Sequence, residues 1–500
     1  MMHGGTTTVA TAWLVALALL LPGCGKGTED AAVPSEGGTE SAGPSVPVTE
    51  VGTYVHLVIP SIVKAGEEVD LKMRVVTQVG APDYDFEGGF RVEASAENPF
   101  QKMDRASWEP DEDGFYLMEG LVFELPGVQN LRGLVPEDTV SAEANAFVVQ
   151  TDPDYRIYWG DLSGVSDLGA GNHAPAVYFW YARGVGLLDF AALTDSDYDA
   201  SIEKALDEEA WMEIEGSVLD DLHRPGDFIP LHGFRWASGE YGDRLVLLPG
   251  PPERLWSNAA GFDTPEKLAA ALPDGAILAV PHPPGTTTRP AVDPASVAPS
   301  REGLVEVVSS LGMFESAGLP RPPDTGDAPG PYAKDLLASG ARVGFIGTGD
   351  IRSTQPGNPM GIRTGDSIWP VGLTAVLAKE LTREAVLDAL RERRCYATSG
   401  RRYLLEFTVD GHQMGSDLRV PSGHVAAIYG SLGSMTRWMR IEVVGPDGPI
   451  AALMPEGEDI DVVEITAETL PVTEPTWCYL RGMDEYGGMA WSSPVYLQPE

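Results

Sequence analysis

Cysteine is nearly absent. The chain of 500 residues holds 3, at Cys24, Cys395 and Cys478. That excludes a scaffold stapled by many disulfides, and no spacing marks a zinc knuckle or a catalytic thiol. Outside the cytoplasm Cys395 and Cys478 could pair, although sequence alone does not bring them together. Positive charge is also short: Lys and Arg total 34 against 74 Asp and Glu, a net charge of -40. Such a surface repels nucleic acid and anionic head groups. It reads either as a solvated secreted or salt-adapted surface or as one that attracts cations. No apolar run is long enough to span a bilayer as a mature helix. There is no G-x-S-x-G elbow, which argues against a hydrolase triad drawn from Ser163, Ser166, Ser196 and His282. No internal repeat is evident.

A chain of this length is expected to form roughly two to four domains. The apolar run that does exist, T-A-W-L-V-A-L-A-L-L-L-P, precedes Gly23-Cys24. It resembles a bacterial lipoprotein signal peptide over residues 1–23, which implies cleavage before Cys24 and lipid on that cysteine. The run departs from the pattern in having no Lys or Arg ahead of it. A buried helix is the alternative. Residues 24–50 are rich in Gly, Ser, Pro, Thr and Glu and read as a polar, disordered tether. The body is then expected in the cell envelope, lipid-anchored outside the cytoplasm.

Residues 51–150 read as a β-sandwich-like domain, with strands at 54–59, 69–76 and 90–93 separated by Gly, Pro, Asn and Asp. His56 lies in one of these strands and reads as structural. Residues 151–400 alternate apolar strands with helical stretches, which predicts an α/β domain with parallel pairing. Helices are predicted from Pro175, from Thr264-Pro265, and over 381–394, where Thr382 is the N-cap and Val386, Leu387 and Leu390 form the buried face. Residues 401–500 return to β and predict a second sandwich.

Within 151–400 several apolar runs end in polar residues. R-I-Y-W-G-D-L-S-G-V-S spans 156–166. Leu188–Leu193 ends in Thr194-Asp195, Ala276–Val280 in Pro281-His282, Leu304–Val308 carries Glu306, and Arg342–Ile346 runs into Gly347-Thr348-Gly349-Asp350. Strand ends of this kind are where α/β enzymes assemble sites. Gly347-Thr348-Gly349 could also cradle a phosphate, but a lone glycine-rich turn reads better as a plain turn.

Taken in order, W-G-D-L (159–162), L-D-F-A-A-L-T-D (188–195), V-P-H-P-P-G (280–285), E-V-V-S-S-L-G (306–312), L-T-R-E-A-V-L-D-A-L-R-E-R-R-C-Y-A-T-S-G (381–400) and A-W-S-S-P (490–494) resemble one family. It is domain of unknown function 3604, related to the PHP (polymerase and histidinol phosphatase) metal-dependent phosphoesterases. The likeness covers roughly 155–500. It implies a distorted PHP-like (β/α) barrel with metals at the C-terminal strand ends; with the N- and C-terminal β-sandwich domains read on either side, the expected fold is multi-domain α/β plus β.

Carried over position by position, most of the family's metal ligands fail. Where members read D-L-H-x-H, Ser163 and Val165 stand at the histidines. T-D-H becomes Thr194-Asp195-Ser196, and G-Y-E-W becomes Gly233-Phe234-Arg235-Trp236. G-H becomes Gly242-Asp243, P-H-H-P keeps only His282, S-x-H-G becomes Ser309-Ser310-Leu311-Gly312, and the last motif ends in Asp350-Ile351-Arg352. Guanidinium cannot ligate a metal and repels one. The candidate pocket is therefore Asp161, Ser163, Asp195, Ser196, Arg235, His282, Asp350 and Arg352. No cofactor is expected. The alternative is one divalent cation on Asp161, Asp195, His282 and Asp350, with His173 nearby. Arg235 and Arg352 could clamp a small anion, or pair internally with Asp161 and Asp350. The expected function is a non-catalytic binding or structural module of the envelope. The alternatives are a residual single-metal hydrolase of phosphoesters, and carbohydrate or peptide binding through the β domains.

Overall fold

The computed structural model describes most residues from 53 to 500; 1–52, 85, 87–88, 95–104, 108–114, 135–140, 201, 288, 298–300, 327–329, 351, 365–366 and 456–461 lie outside the description. The signal segment, Cys24 and the whole of the tether therefore fall outside the described residues. Among the described residues no helix is long and apolar enough to cross a membrane.

The chain is β-rich. Its first part packs three small sheets. The strands Thr53–Val58, Glu68–Thr77 and Phe115–Val122 pair antiparallel. The last half of Glu68–Thr77 is buried on both faces: Met73 and Val75 enter the core of this part, while Val76 packs on Tyr181 and Val185 and Arg74 lies over the Trp180 ring. Leu57, Val63, Leu71, Met73 and Val75 form its core. Phe123 meets Phe147 edge to face, ring centroids 4.9 Å apart.

A sheet of 16 strands organises the rest. Arg156–Gly164, Phe190–Leu193 and Ile229–Trp236 run parallel. Arg244–Leu248 and Ile277–Val280 follow antiparallel, and Ile277–Val280, Glu302–Ser309 and Gly344–Gly347 are parallel again. Phe190–Leu193 and Ile277–Val280 are buried from end to end, which is why they read as continuous apolar runs instead of alternating. The helices Pro175–Gly184, Pro265–Ala271 and Arg383–Arg391 cover the sheet. Thr264 and Thr382 cap the second and third through their hydroxyls.

The sheet curls until its far strand meets its first. Asp350 N donates to Ser163 O at 2.8 Å. Thr374 Oγ1 bridges to Gly347 O at 2.7 Å. This approach needs glycine: a Cβ on Gly347 would lie 2.6 Å from Leu373 O, and one on Gly372 2.7 Å from Thr348 O.

On its other side Arg156–Gly164 pairs with Leu373–Ala378, which pairs with Cys395–Thr398. That strand pairs onward with Met489–Ser492, then Thr476–Asp484 and Trp438–Gly445. Residue 400, where the sequence suggests a boundary, is therefore spanned by one continuous hydrogen-bonded sheet. A separate sheet of 4 strands includes Leu404–Val409 and Ala427–Gly433. Cys395 and Cys478 are both buried free thiols, so the disulfide left open by the sequence is not formed. Burial pushes each thiol up to about 12.

Candidate functional site

The C-terminal ends of the central strands deliver one buried polar cluster. At its centre is Arg235, near the end of Ile229–Trp236 and fully buried. Its Nη2 donates to Ser163 Oγ at 2.7 Å and to Asp350 Oδ1 at 2.6 Å. Its Nη1 lies 2.8 Å from His282 Nε2. A buried guanidinium is tolerated only when its donors are met, and these partners meet most of them.

His282 is fixed from both sides. Its Nδ1 stands 2.8 Å from Glu306 Oε1, and Thr348 Oγ1 donates to Glu306 Oε2 at 2.6 Å. Burial disfavours its protonation, but the Glu306 and Asp350 carboxylates outweigh burial and hold its pKa above the usual histidine value. A neutral ring, with Nδ1–H on Glu306, lets Nε2 accept from Arg235. A protonated ring would turn Nε2–H toward Asp350 Oδ2, 3.3 Å away. His282 and Asp350 both adopt left-handed backbone, at φ 39 and 44. Such strain in non-glycine residues collects where side chains must be aimed.

A second guanidinium, Arg289, completes the group. Its Nη1 reaches His282 Nε2 at 2.9 Å and Asp350 Oδ2 at 3.3 Å, and its Nε stands 3.5 Å from Asp243 Oδ2. Two guanidiniums and one imidazole thus face the carboxylates of Asp350, Asp243 and Glu306. Positive side chains balance the acidic ones without any ion.

Asp161 sits beside this group with a different problem. Its Oδ1 accepts from Gly349 N at 2.8 Å and Ser163 N at 3.1 Å, while its buried Oδ2 has no partner. Burial pushes its pKa up to about 7 against those two hydrogen bonds, and the nearby Asp350 and Glu306 charges add to the rise. Asp195 is turned into a loop clasp: Ser166 donates to it through N at 2.7 Å and Oγ at 2.6 Å. Ser196 joins Arg235 only through a backbone bridge.

The structure thus brings Asp161, Ser163, Arg235, His282 and Asp350 together, with Asp195 and Ser196 alongside. Arg352 does not join Arg235. The left-handed turn at Asp350 sends the chain outward, and Arg352 lies half exposed at the rim, 4.0 Å from Asp199. Of the two alternatives the sequence left open, Arg235 takes the internal pairing, with Asp350 and not Asp161, while Arg352 stands apart at the rim and the second guanidinium at the cluster is Arg289. His173 is exposed and away from the group. Sequence reasoning missed Arg289, which sits in a loop with no periodic signal.

Metals implied by the family resemblance do not fit this arrangement. Among the described residues no group of three or more His, Cys, Asp or Glu side chains is placed to hold an ion. Of the four residues that survive as candidate ligands, His282 and Asp350 already face guanidinium, and Asp195 is taken by Ser166.

Three chlamydial proteins are similar to nearly the whole chain. An uncharacterized protein of Chlamydia muridarum is 24% identical over 89% of this chain and 73% of its own length. One of Chlamydia trachomatis is 25% identical with the same coverage. Solved structures give only faint likeness. Escherichia coli alpha-2-macroglobulin aligns at 8% identity and a TM-score of 0.18, this chain spanning 23% of its length and the alignment 92% of this chain. PhoD aligns at 11% identity and a TM-score of 0.19, over 89% of this chain and 94% of its own. Neither carries an argument about fold. Over residues 348–429 the chain matches the family model described as a protein of unknown function (DUF3604), the family that its motifs resemble.

Proposed function

We propose that this chain is a cell-envelope lipoprotein, anchored through Cys24, whose central domain is a degenerate PHP-like barrel serving as a non-catalytic binding or structural module between β domains. One observation carries the reading. The guanidinium of Arg235 stands, fully buried, among Ser163, His282 and Asp350. A hydrolase of this kind needs an open cation site and an activated water there. A fixed positive charge opposes both. The acidic surface argues against a nucleic-acid partner and leaves an envelope protein or a small ligand.

A residual single-metal hydrolase is the second reading. It is favoured by the unpartnered Asp161 Oδ2, a buried oxygen of the type that ligates hard cations. Elemental analysis of the purified, tag-free chain separates the two, together with an assay on bis(p-nitrophenyl) phosphate. The first reading expects no stoichiometric Mn, Fe or Zn and no turnover above buffer. About one equivalent of tightly held metal with turnover would replace it by the second.

A further inference from the structure

A large cleft lies at the other end of the Arg156–Gly164 strand from the buried cluster. It encloses about 1000 Å3 between the N-terminal β part and the central sheet. Its walls come from Glu68–Thr77, from Arg156–Trp159, from the Phe179–Gly184 end of a helix and from the Gly226–Phe228 turn. Small-molecule sites favour such domain junctions and reach about this size.

The lining has two features that define a ligand class. The first is neutrality. Asp227 is shared by Lys72, at 3.1 Å, and Arg183, at 2.6 Å. Arg156 pairs with Glu67 and donates to Ile62 O at 3.0 Å. Over the whole lining, which also carries Glu68, Asp70, Asp189, Lys379 and Glu380, acidic and basic groups nearly balance, in a chain of net charge -40. Such a lining neither demands a counter-ion nor repels an uncharged molecule. Each paired group keeps spare capacity, because a carboxylate has about four lone-pair sites and an ammonium three protons. The second feature is aromatic. Trp180 lines the cleft while 43% exposed, with the Arg74 guanidinium 5.6 Å from its ring centroid. Half-buried Tyr158 lies on the floor.

We propose that this cleft binds an uncharged oligosaccharide. A sugar ring offers a C–H face that packs on indole, and hydroxyls that both donate and accept. Trp180 is the platform, and the Lys72–Asp227–Arg183 group supplies oriented partners for the hydroxyls. The proposal goes beyond the reading of the buried cluster and stands or falls apart from it, since sugar binding is read without metal or turnover.

The test uses the purified full chain in isothermal titration calorimetry with cellohexaose, maltohexaose, xylohexaose and chitohexaose, and with tetragalacturonate as the charged comparator. At least one neutral sugar is expected to bind saturably. Trp180→Ala is expected to weaken that binding by about tenfold or more, the scale of losing one aromatic anchor. Asp227→Asn, which preserves shape, is expected to weaken it as well, so the proposal does not depend on how the tryptophan variant folds. Silence from all the neutral sugars overturns the proposal. So does binding of tetragalacturonate alone, or an affinity that both variants leave unchanged.

Discussion

Arg402 Nη1 bonds His56 Nε2 at 3.1 Å across 346 residues of sequence. The same guanidinium donates to Gly186 O at 2.9 Å and Leu187 O at 3.0 Å, and His56 Nδ1 reaches Val185 O at 3.1 Å. One side-chain pair therefore ties the first β part, the central helix region and the start of the C-terminal part. Burial, and then the Arg402 charge, lower the His56 pKa to about 3. The ring stays neutral in the folded chain at every ordinary pH. The unfolded chain takes up a proton below about 6.5, so the contribution to stability is whole above that value and fades as pH falls toward 3. His56→Gln should therefore lose less stability than the parent between pH 7 and pH 5. Urea midpoints at the two values check it, and equal losses would show that His56 is not held neutral.

Arg235 gives a second prediction. Removing one partner of a buried ion pair strands the other, at about 3–5 kcal/mol. Arg235→Ala leaves Asp350 facing only the half-buried Arg289 and the His282 ring, each at 3.3 Å, and leaves Ser163 Oγ short of a donor. A loss on that scale is expected in urea unfolding, and Arg235→Lys should recover little of it, since one ammonium cannot span the same acceptors. A change below about 1 kcal/mol, the size typical of an exposed pair, would contradict the buried geometry.

Asp161 titrates in the opposite sense to His56. Its folded pKa is raised from 3.8 to about 7. The unfolded carboxyl ionises first as pH climbs, so the stability tied to this group is full below 3.8 and lost as pH rises through about 7. Asp161→Asn should gain stability relative to the parent on going from pH 5 to pH 8. Asp195 and Asp197, each raised to about 6 mainly by burial, keep a slope of the same sign in both proteins. Parallel pH profiles for the two proteins would rule out a protonated Asp161.

Phosphate supplies a fourth. With Arg235 occupied by Asp350 and Ser163, and Arg352 out at the rim, no two-guanidinium clamp faces solvent in the way the sequence suggested. Phosphate should raise the melting temperature no more than chloride at matched ionic strength. A phosphate-specific rise, abolished in Arg289→Ala, would show that this half-buried guanidinium binds anions after all.

The thiols supply a fifth. Cys395 and Cys478 are buried and held protonated, so a thiol reagent should find neither in the native chain at pH 8 and both in urea. Rapid native labelling of either would show local opening of the strands that carry them.

Much of the strand framework was legible because buried parallel strands leave continuous apolar runs, and Asp161, Asp195, His282, Glu306 and Asp350 stand at or near the ends of such runs. The helix at Arg383–Arg391 was legible from its Thr382 cap and its Val386, Leu387 and Leu390 face. Arg289 was not, since a loop residue is placed by tertiary turns that leave no period in the sequence. Arg352 was misplaced for a related reason: two residues beyond Asp350 looks adjacent on paper, but a left-handed turn redirects everything after it. The continuity of the sheet past residue 400 was hidden too, because pairing such as Tyr396 with Ser492 joins residues far apart in the chain.

That long-range pairing has a consequence for how the molecule can be taken apart. Cutting after Ser399 would strip Cys395–Thr398 of its neighbour Met489–Ser492 and leave a raw row of amide and carbonyl groups, an invitation to clump. The last hundred residues behave as the seam of the central body and not as an appendage, so neither piece is a sound fragment for expression by itself.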